Sequence, residues 1–359
     1  MAFDFFKSLL GAQNYLAVDI GTTSIKVLEF SKKSNGRPAL RNYGFLETYG
    51  YLERFNEALQ TSSLKMLDVE AAKYLKIVLD RAGIKSRSAV ASIPAFMAFT
   101  TLIELPMMSE AETSQTMDFQ AKQYIPIPVK AAAIDWIKIG EREDEEGRKR
   151  QQVFLISVPK EQIEKYQKIF RLAGLKLAAL EIEGLSLARA LSRGIKEPVL
   201  IVDIGARSTS LTVGVDGLLR FAGQTDFAGG SLTQAVASGL GIAARRAEEL
   251  KWRKGLIATG GEQELSTLML PFLDVIINEA KRVKQNYETS YQNKIAAVIL
   301  AGGGANLLGI EKYFGQQIEL PASLAAPFKE IDYPPEIASL IKDLGPAFSA
   351  AIGLGMKGL

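Results

Sequence analysis

The chain has 359 residues, 47% of them apolar and 23% charged, enough for two or three domains with sizeable cores, and its net charge of +3 is too small to point to nucleic acid. It contains neither Cys nor His, which excludes a Ser-His-Asp triad, a thiolate nucleophile, a disulfide and any imidazole or thiolate metal site. A metal could then be only a hard ion held by oxygens, with Mg²⁺ foremost, and no stretch shows the roughly 18 uninterrupted apolar residues of a membrane span.

In chain order, the opening residues 1–13 carry no basic leader, apolar h-region or cleavage site, so a cytoplasmic location is expected. Phe3, Phe5, Phe6, Leu9 and Leu10 form an apolar stripe at helical spacing. It packs on its own domain, or docks on a partner or a membrane surface. Residues 16–27 follow as a strand, a Gly-centred turn and a second strand. Strands are expected over 88–94 and 100–106. A helix then starts at a Ser109 cap, with Glu112 closing a capping box, and stops at a Pro-rich segment. Residues 134–139 read as another strand, 141–150 as a charged, solvated hairpin tip, and 153–159 as a strand. Ile163, Tyr166, Ile169, Phe170 and Ala173 then mark a helix over 161–173.

The most informative feature is an internal echo. Residues 16–27 are repeated at 200–211, about one domain later. Each copy runs from an apolar strand into Asp-Ile-Gly, then small hydroxyl residues, then a second apolar strand. In such a turn, Gly21 and Gly205 tolerate positive φ and let backbone N–H groups approach an anion closely. Thr22, Thr23, Ser24, Ser208 and Thr209 add hydroxyl donors, and Lys26 and Arg207 add positive charge. Arg207 either binds phosphate directly or points outward as a solvated charge. Asp19 and Asp203, at the strand ends, are placed to share a hydrated Mg²⁺. A third element, the apolar strand 296–300, ends in Gly302, Gly303, Gly304 and Asn306. A helix is expected from about Leu307, and the glycines leave no side chain to block an adenosine or a phosphate.

Two Asp-Gly hairpins followed by this Gly run resemble the actin-like ATPase superfamily, which includes actin, the 70-kDa heat-shock chaperones, sugar kinases, MreB and FtsA. The resemblance extends over residues 16–356. Within it, Ile103-Glu104-Leu105-Pro106 and Gln123-Tyr124-Ile125-Pro126 are similar to the small inserted subdomain of the PilM family of type IV pilus assembly proteins, also found in FtsA. The chain stops at Lys357-Gly358-Leu359, without the amphipathic membrane-targeting helix of FtsA, which ranks the PilM family first.

That resemblance implies an α/β fold, with two duplicated actin/ribonuclease-H-like domains around a nucleotide cleft and a small α+β subdomain inserted in the first. It also implies a division of the chain. Residues 1–13 are an N-terminal segment. Residues 14–85 and 179–198, with part of 335–359, form the first domain; 86–178 form the insert and 199–345 the second domain. Residues 179–190 resemble the first connecting helix, with Glu183 facing the phosphates, and 346–355 resemble the second. Gly229 and Gly230 match the family's Gly-Gly turn into a helix. Glu248 and Lys251, three apart on one face, would contact ribose and adenine. ATP and Mg²⁺ are the implied cofactors, with Asp19 and Asp203, and less firmly Glu183, as the catalytic carboxylates and at most weak ATPase activity. The implied partners are the cytoplasmic N-terminal tail of PilN, bound in a groove beside the insert, and through it the pilus inner-membrane platform and motor. Self-association is an additional option, and the protein would sit peripherally at the inner membrane through its partner. A filament-forming ATPase like FtsA or MreB is the alternative; a small-molecule kinase ranks lower, because no acceptor-site motif is present.

Overall fold

The computed structural model describes residues 14–32, 37–48, 67–144, 146–257 and 263–358. The N-terminal Phe/Leu stripe lies outside them. β1 (Asn14–Ile20), β2 (Ser24–Lys32) and β3 (Pro38–Glu47) form an antiparallel meander. β1 is buried from Tyr15 to Ile20, as expected of a strand covered on both faces. α1 (Asp68–Arg81) buries Leu75, Val78 and Leu79 on this sheet, and β4 (Ser88–Ile93) joins β1 in parallel.

The chain then leaves the sheet. β5 (Phe99–Pro106), β6 (Ala132–Glu143) and β7 (Lys149–Pro159) form a separate antiparallel sheet in the order β5-β7-β6. α2 (Glu110–Ala121) covers one face, packing Met117 and Ala121 on Ile103, Leu105, Val153 and Leu155. Its start follows the expected capping box: the Ser109 hydroxyl accepts from Glu112 N–H at 3.3 Å, and Glu112 accepts from Ser109 N–H at 2.8 Å. α3 (Lys160–Leu172) returns the chain with Ile163, Tyr166, Ile169 and Phe170 buried, and β8 (Lys176–Ile182) pairs with β4. Of residues 86–178, β4 and β8 therefore lie in the first sheet, and 99–159 supply the separate one.

α4 (Glu183–Leu191) follows β8 directly. The connecting helix was expected over 179–190; residues 179–182 instead complete β8, whose pairing with β4 outweighs their helix propensity. The second sheet is built from β9 (Val199–Ile204), β10 (Thr209–Val215), β11 (Leu218–Thr225), β12 (Ala297–Ala301) and β13 (Ala322–Leu324). Its order, β11-β10-β9-β12-β13, repeats the first sheet's β3-β2-β1-β4-β8. Both sheets are three antiparallel strands followed by two parallel ones. α5 (Gly229–Leu240), α6 (Ala244–Lys254) and α7 (Gln263–Tyr291) cover the second sheet. α8 (Ile310–Ile318) starts three residues later than expected, because Gly303–Asn306 form a tight 3₁₀ turn first.

α9 (Ile341–Gly355) and α4 lie between the two sheets, in a cluster that includes Tyr15, Phe30, Leu187, Ile201, Phe348 and Ala351. A Cβ on Gly353 would collide with the Ser186 backbone and one on Gly355 with the Phe30 ring. The small-residue helix thus lies tightly against α4 and β2. No helix among the described residues is long and apolar enough to cross a membrane.

Candidate functional site

Because the two sheets repeat one plan, their first hairpin turns occupy equivalent places, and both open onto one cleft. Gly21 N–H donates to Ser24 C=O at 2.8 Å, and Gly205 N–H donates to Ser208 C=O at 3.1 Å. Gly21, Thr22, Thr23 and Ser24 from the first turn line the same cavity as Gly205, Arg207 and Ser208 from the second. Neither Gly21 nor Gly205 has positive φ. Space requires them: a Cβ would sit 3.2 Å from Ser24 C=O at Gly21 and 2.9 Å from Ser208 C=O at Gly205. Thr209 is not at the cavity. It is fully buried, and its hydroxyl donates to Phe227 C=O at 2.8 Å, bracing the turn from behind.

Three carboxyl groups, of Asp19, Asp203 and Glu183, line the cleft. Asp19, 4% exposed, accepts from Lys26 Nζ at 2.9 Å and from the Ser92 hydroxyl at 2.9 Å. Burial opposes the Lys26 ammonium, but Asp19, paired with it, holds its pKa above the ordinary value. Lys26 thus serves Asp19 rather than standing free over the turn. Burial pushes the Asp203 carboxyl up to about 7, with Lys26 pulling it down and Asp19 pushing it further up. Glu183, the first residue of α4, accepts from Ala95 N–H at 3.2 Å. Burial and then the charges of Asp203 and Asp19 push it well above the usual carboxylate range. Glu183 lines the cleft.

The glycine run divides into two roles. Gly302 has φ 80° and its N–H donates to Pro346 C=O at 2.8 Å. A Cβ there would meet Asp203 Oδ1 at 2.6 Å, and one on Gly304 would meet Ile204 Cγ2 at 2.5 Å. Those two glycines let the turn sit against β9. Only Gly303 has open space where a side chain would be. Asn306 Nδ2 donates to Asp343 C=O at 3.0 Å, tying the turn to α9.

On the opposite wall, the Gly229 and Gly230 N–H groups donate to the carbonyls of Gly205 and Ala206 at 3.0 and 2.8 Å. They shape the second turn and are committed to protein. Lys251, 6% exposed, donates to Gly229 C=O at 3.0 Å and the Thr233 hydroxyl at 2.8 Å, and pairs with Glu248 at 2.6 Å. The pair shares a helix face as expected, but it binds α6 to the first turn of α5. Burial lowers the Lys251 pKa, with Glu248 opposing.

Arg207 is neither solvated nor pointing outward. It is 6% exposed, and its guanidinium carbon lies 4.0 Å from the centroid of Phe96, which follows β4 on the far side of the cleft. Burial lowers its pKa, with Asp226 opposing. Sequence reading missed Phe96, and also Trp252, Phe45 and Phe348 in the same lining. Trp252 Nε1 donates to Glu248 at 2.7 Å, and the residue stays 39% exposed in the lining that also holds the glycine run. Its position next to Lys251 on the charged α6 was the one local signal.

Among the described residues no three carboxylates lie close enough to hold a metal by themselves. Asp19, which already accepts from Lys26 and Ser92, and Asp203 offer the oxygen donors that a hard, hydrated cation takes.

A second, larger groove of about 1010 Å³ runs between the inserted sheet and the second half. α2 forms one wall through Met117 and Asp118, and α4 and β11 form the other through Leu185, Arg189 and Leu219. Arg189 is held by Glu181, at 2.7 Å, and by Gly353 C=O. Glu181 also pairs with Lys357 at 2.9 Å.

A family model described as "Type IV pilus assembly protein PilM" matches residues 17–359. A solved "PilM-PilN type IV pilus biogenesis complex" overlays with a TM-score of 0.82 at 21% identity, covering 96% of this chain and 98% of that one. The ethanolamine utilization protein EutJ of Carboxydothermus hydrogenoformans overlays with a TM-score of 0.56 at 16% identity, covering 97% and 91%. MreB5 of Spiroplasma citri bound to ADP overlays at 0.54 and 14%, covering 95% of both chains. These overlays share the two-domain actin-like fold, and with a family match over nearly its whole length the chain belongs to the PilM family of type IV pilus assembly proteins.

Proposed function

We propose that this protein is a nucleotide-dependent scaffold of type IV pilus assembly. It binds ATP with Mg²⁺ in the cleft and the cytoplasmic N-terminal tail of PilN in the second groove. The observation that carries the nucleotide reading is the convergence of Gly21–Ser24 and Gly205–Ser208 on one cavity, so that two turns present their backbones to one phosphate chain. Gly303 and Trp252 flank the space left for the nucleoside. Asp19 and Asp203 would hold the hydrated ion, which when bound offsets phosphate charge. The binding of ADP by a fold relative, MreB5, supports the same reading.

Turnover is weak in this reading. Burial and the neighbouring Asp203 and Asp19 charges disfavour the ionised form of Glu183, the form that would act as a base for an attacking water. The PilN reading is supported by the family match, by the fold shared with a PilM solved in complex with PilN and by the groove beside the inserted sheet. Calorimetry on the full chain, with Mg-ATP and separately with a synthetic PilN tail, tests both halves. Saturable binding of each is expected; Mg-ATP without heat sinks the cleft, and a tail without heat sinks the groove.

A further inference from the structure

We propose that the peptide in the second groove binds as an added strand along the free edge of β6. The proposal rests on the reading of that groove as a peptide site. In the order β5-β7-β6, β6 pairs with β7 and with no second strand among the described residues. Residues 134–139 of β6 all line the groove. Successive strand side chains point to opposite faces, so six consecutive lining residues mean that the strand's edge, not one of its faces, forms the floor. α2 borders one face of that edge, and α4 with β11 borders the other. An extended segment of about six residues would fill this length, its alternate side chains entering the two walls.

The edge is blunted by this chain's own side chains. Trp136 N–H donates to Asp135 Oδ1 at 2.8 Å, a carboxylate standing where a neighbouring strand's carbonyl would stand. The ladder slips between Lys138 and Gly140, and at this bulge Ile139 C=O accepts from Arg220 of β11. A bulge and inward-turned charges are the devices that keep an open edge from pairing indiscriminately. Here they sit inside a groove of about 1010 Å³. The α2 wall ends in the exposed carboxylates of Glu110 and Asp118. The occupant is therefore an extended peptide with apolar side chains against Met117 and Leu219 and a cation facing α2.

Main-chain pairing is tested by N-methylating each backbone amide of a synthetic PilN tail in turn and titrating the full chain by calorimetry. Strand addition predicts losses of at least about tenfold at every second position and little change between them. It also predicts that saturating peptide slows amide exchange at Trp136 by about tenfold or more. Asp135→Ala, which removes the competing acceptor, should tighten binding a few-fold. Tight binding with no two-residue alternation and unchanged Trp136 exchange overturns strand addition while the groove reading stands. Absence of binding by the unmodified tail overturns both.

Discussion

The two hairpins that face each other across the cleft share a backbone and differ in their charges. In the first, Asp19 stands opposite Lys26 in the β1–β2 register; in the second, Asp203 stands opposite Ser210. The neighbouring parallel strand repeats the contrast. Ser92 on β4 donates a hydroxyl to Asp19, whereas Ala301 on β12 is the residue paired with Asp203. Both partners of the first carboxylate are thus missing from the second. Among the described residues Asp203 has no ion-pair partner, and its carboxyl rises to about 7. Duplication preserved the Gly-centred turn, closed by Gly21 N–H to Ser24 C=O in one copy and Gly205 N–H to Ser208 C=O in the other. Divergence changed what faces the carboxylate: Lys26 and Ser92 at Asp19, Ser210 and Ala301 at Asp203.

The largest effect that separates the halves is expected at Lys26. Lys26→Met strands a buried Asp19 and should lower stability by about 4 kcal/mol in urea unfolding, whereas a change near zero would mean the pair is solvated. Next comes Gly302→Val, which combines φ 80° with a clash against Asp203 and Ile204; a loss of about 3 kcal/mol is expected by the same measurement.

The pH dependence distinguishes the carboxylates themselves. Asp203 keeps its proton in the folded state to about 7, against an ordinary value of 3.8. Its contribution to the stability of the nucleotide-free protein is therefore full below about pH 4 and lost as pH rises through about 7. Asp203→Asn should flatten that decline in thermal unfolding; an unchanged slope would put the raised group elsewhere. Arg207→Ala removes the contact with Phe96 across the cleft and should cost about 1–2 kcal/mol. Smallest of all is Ser210→Ala. The Ser210 hydroxyl is buried without a partner among the described residues, so its removal should change stability by less than about 0.5 kcal/mol.

The same contrast separates what could be read from sequence from what could not. The repeat was legible because Asp-x-Gly and the hydroxyl run are local, and two copies a domain apart imply two equivalent turns. The capping box at Ser109 and Glu112 was legible for the same reason. Which side chains are available to a ligand was not. Lys26 is committed to Asp19, Lys251 to Gly229, Thr233 and Glu248, and the Gly229 and Gly230 amides to the second turn. Each commitment depends on what the fold brings alongside. Arg207 meets Phe96 from a distant stretch of chain, and the second groove gathers α2, β6, α4 and β11, which carry no shared motif.

Whether both turns grip one nucleotide is tested most directly by paired titrations of Asp19→Ala and Asp203→Ala with a fluorescent ATP analogue in Mg²⁺. A shared grip predicts that either substitution alone abolishes Mg²⁺-dependent binding in a protein that still unfolds cooperatively. Wild-type affinity in either variant would contradict it.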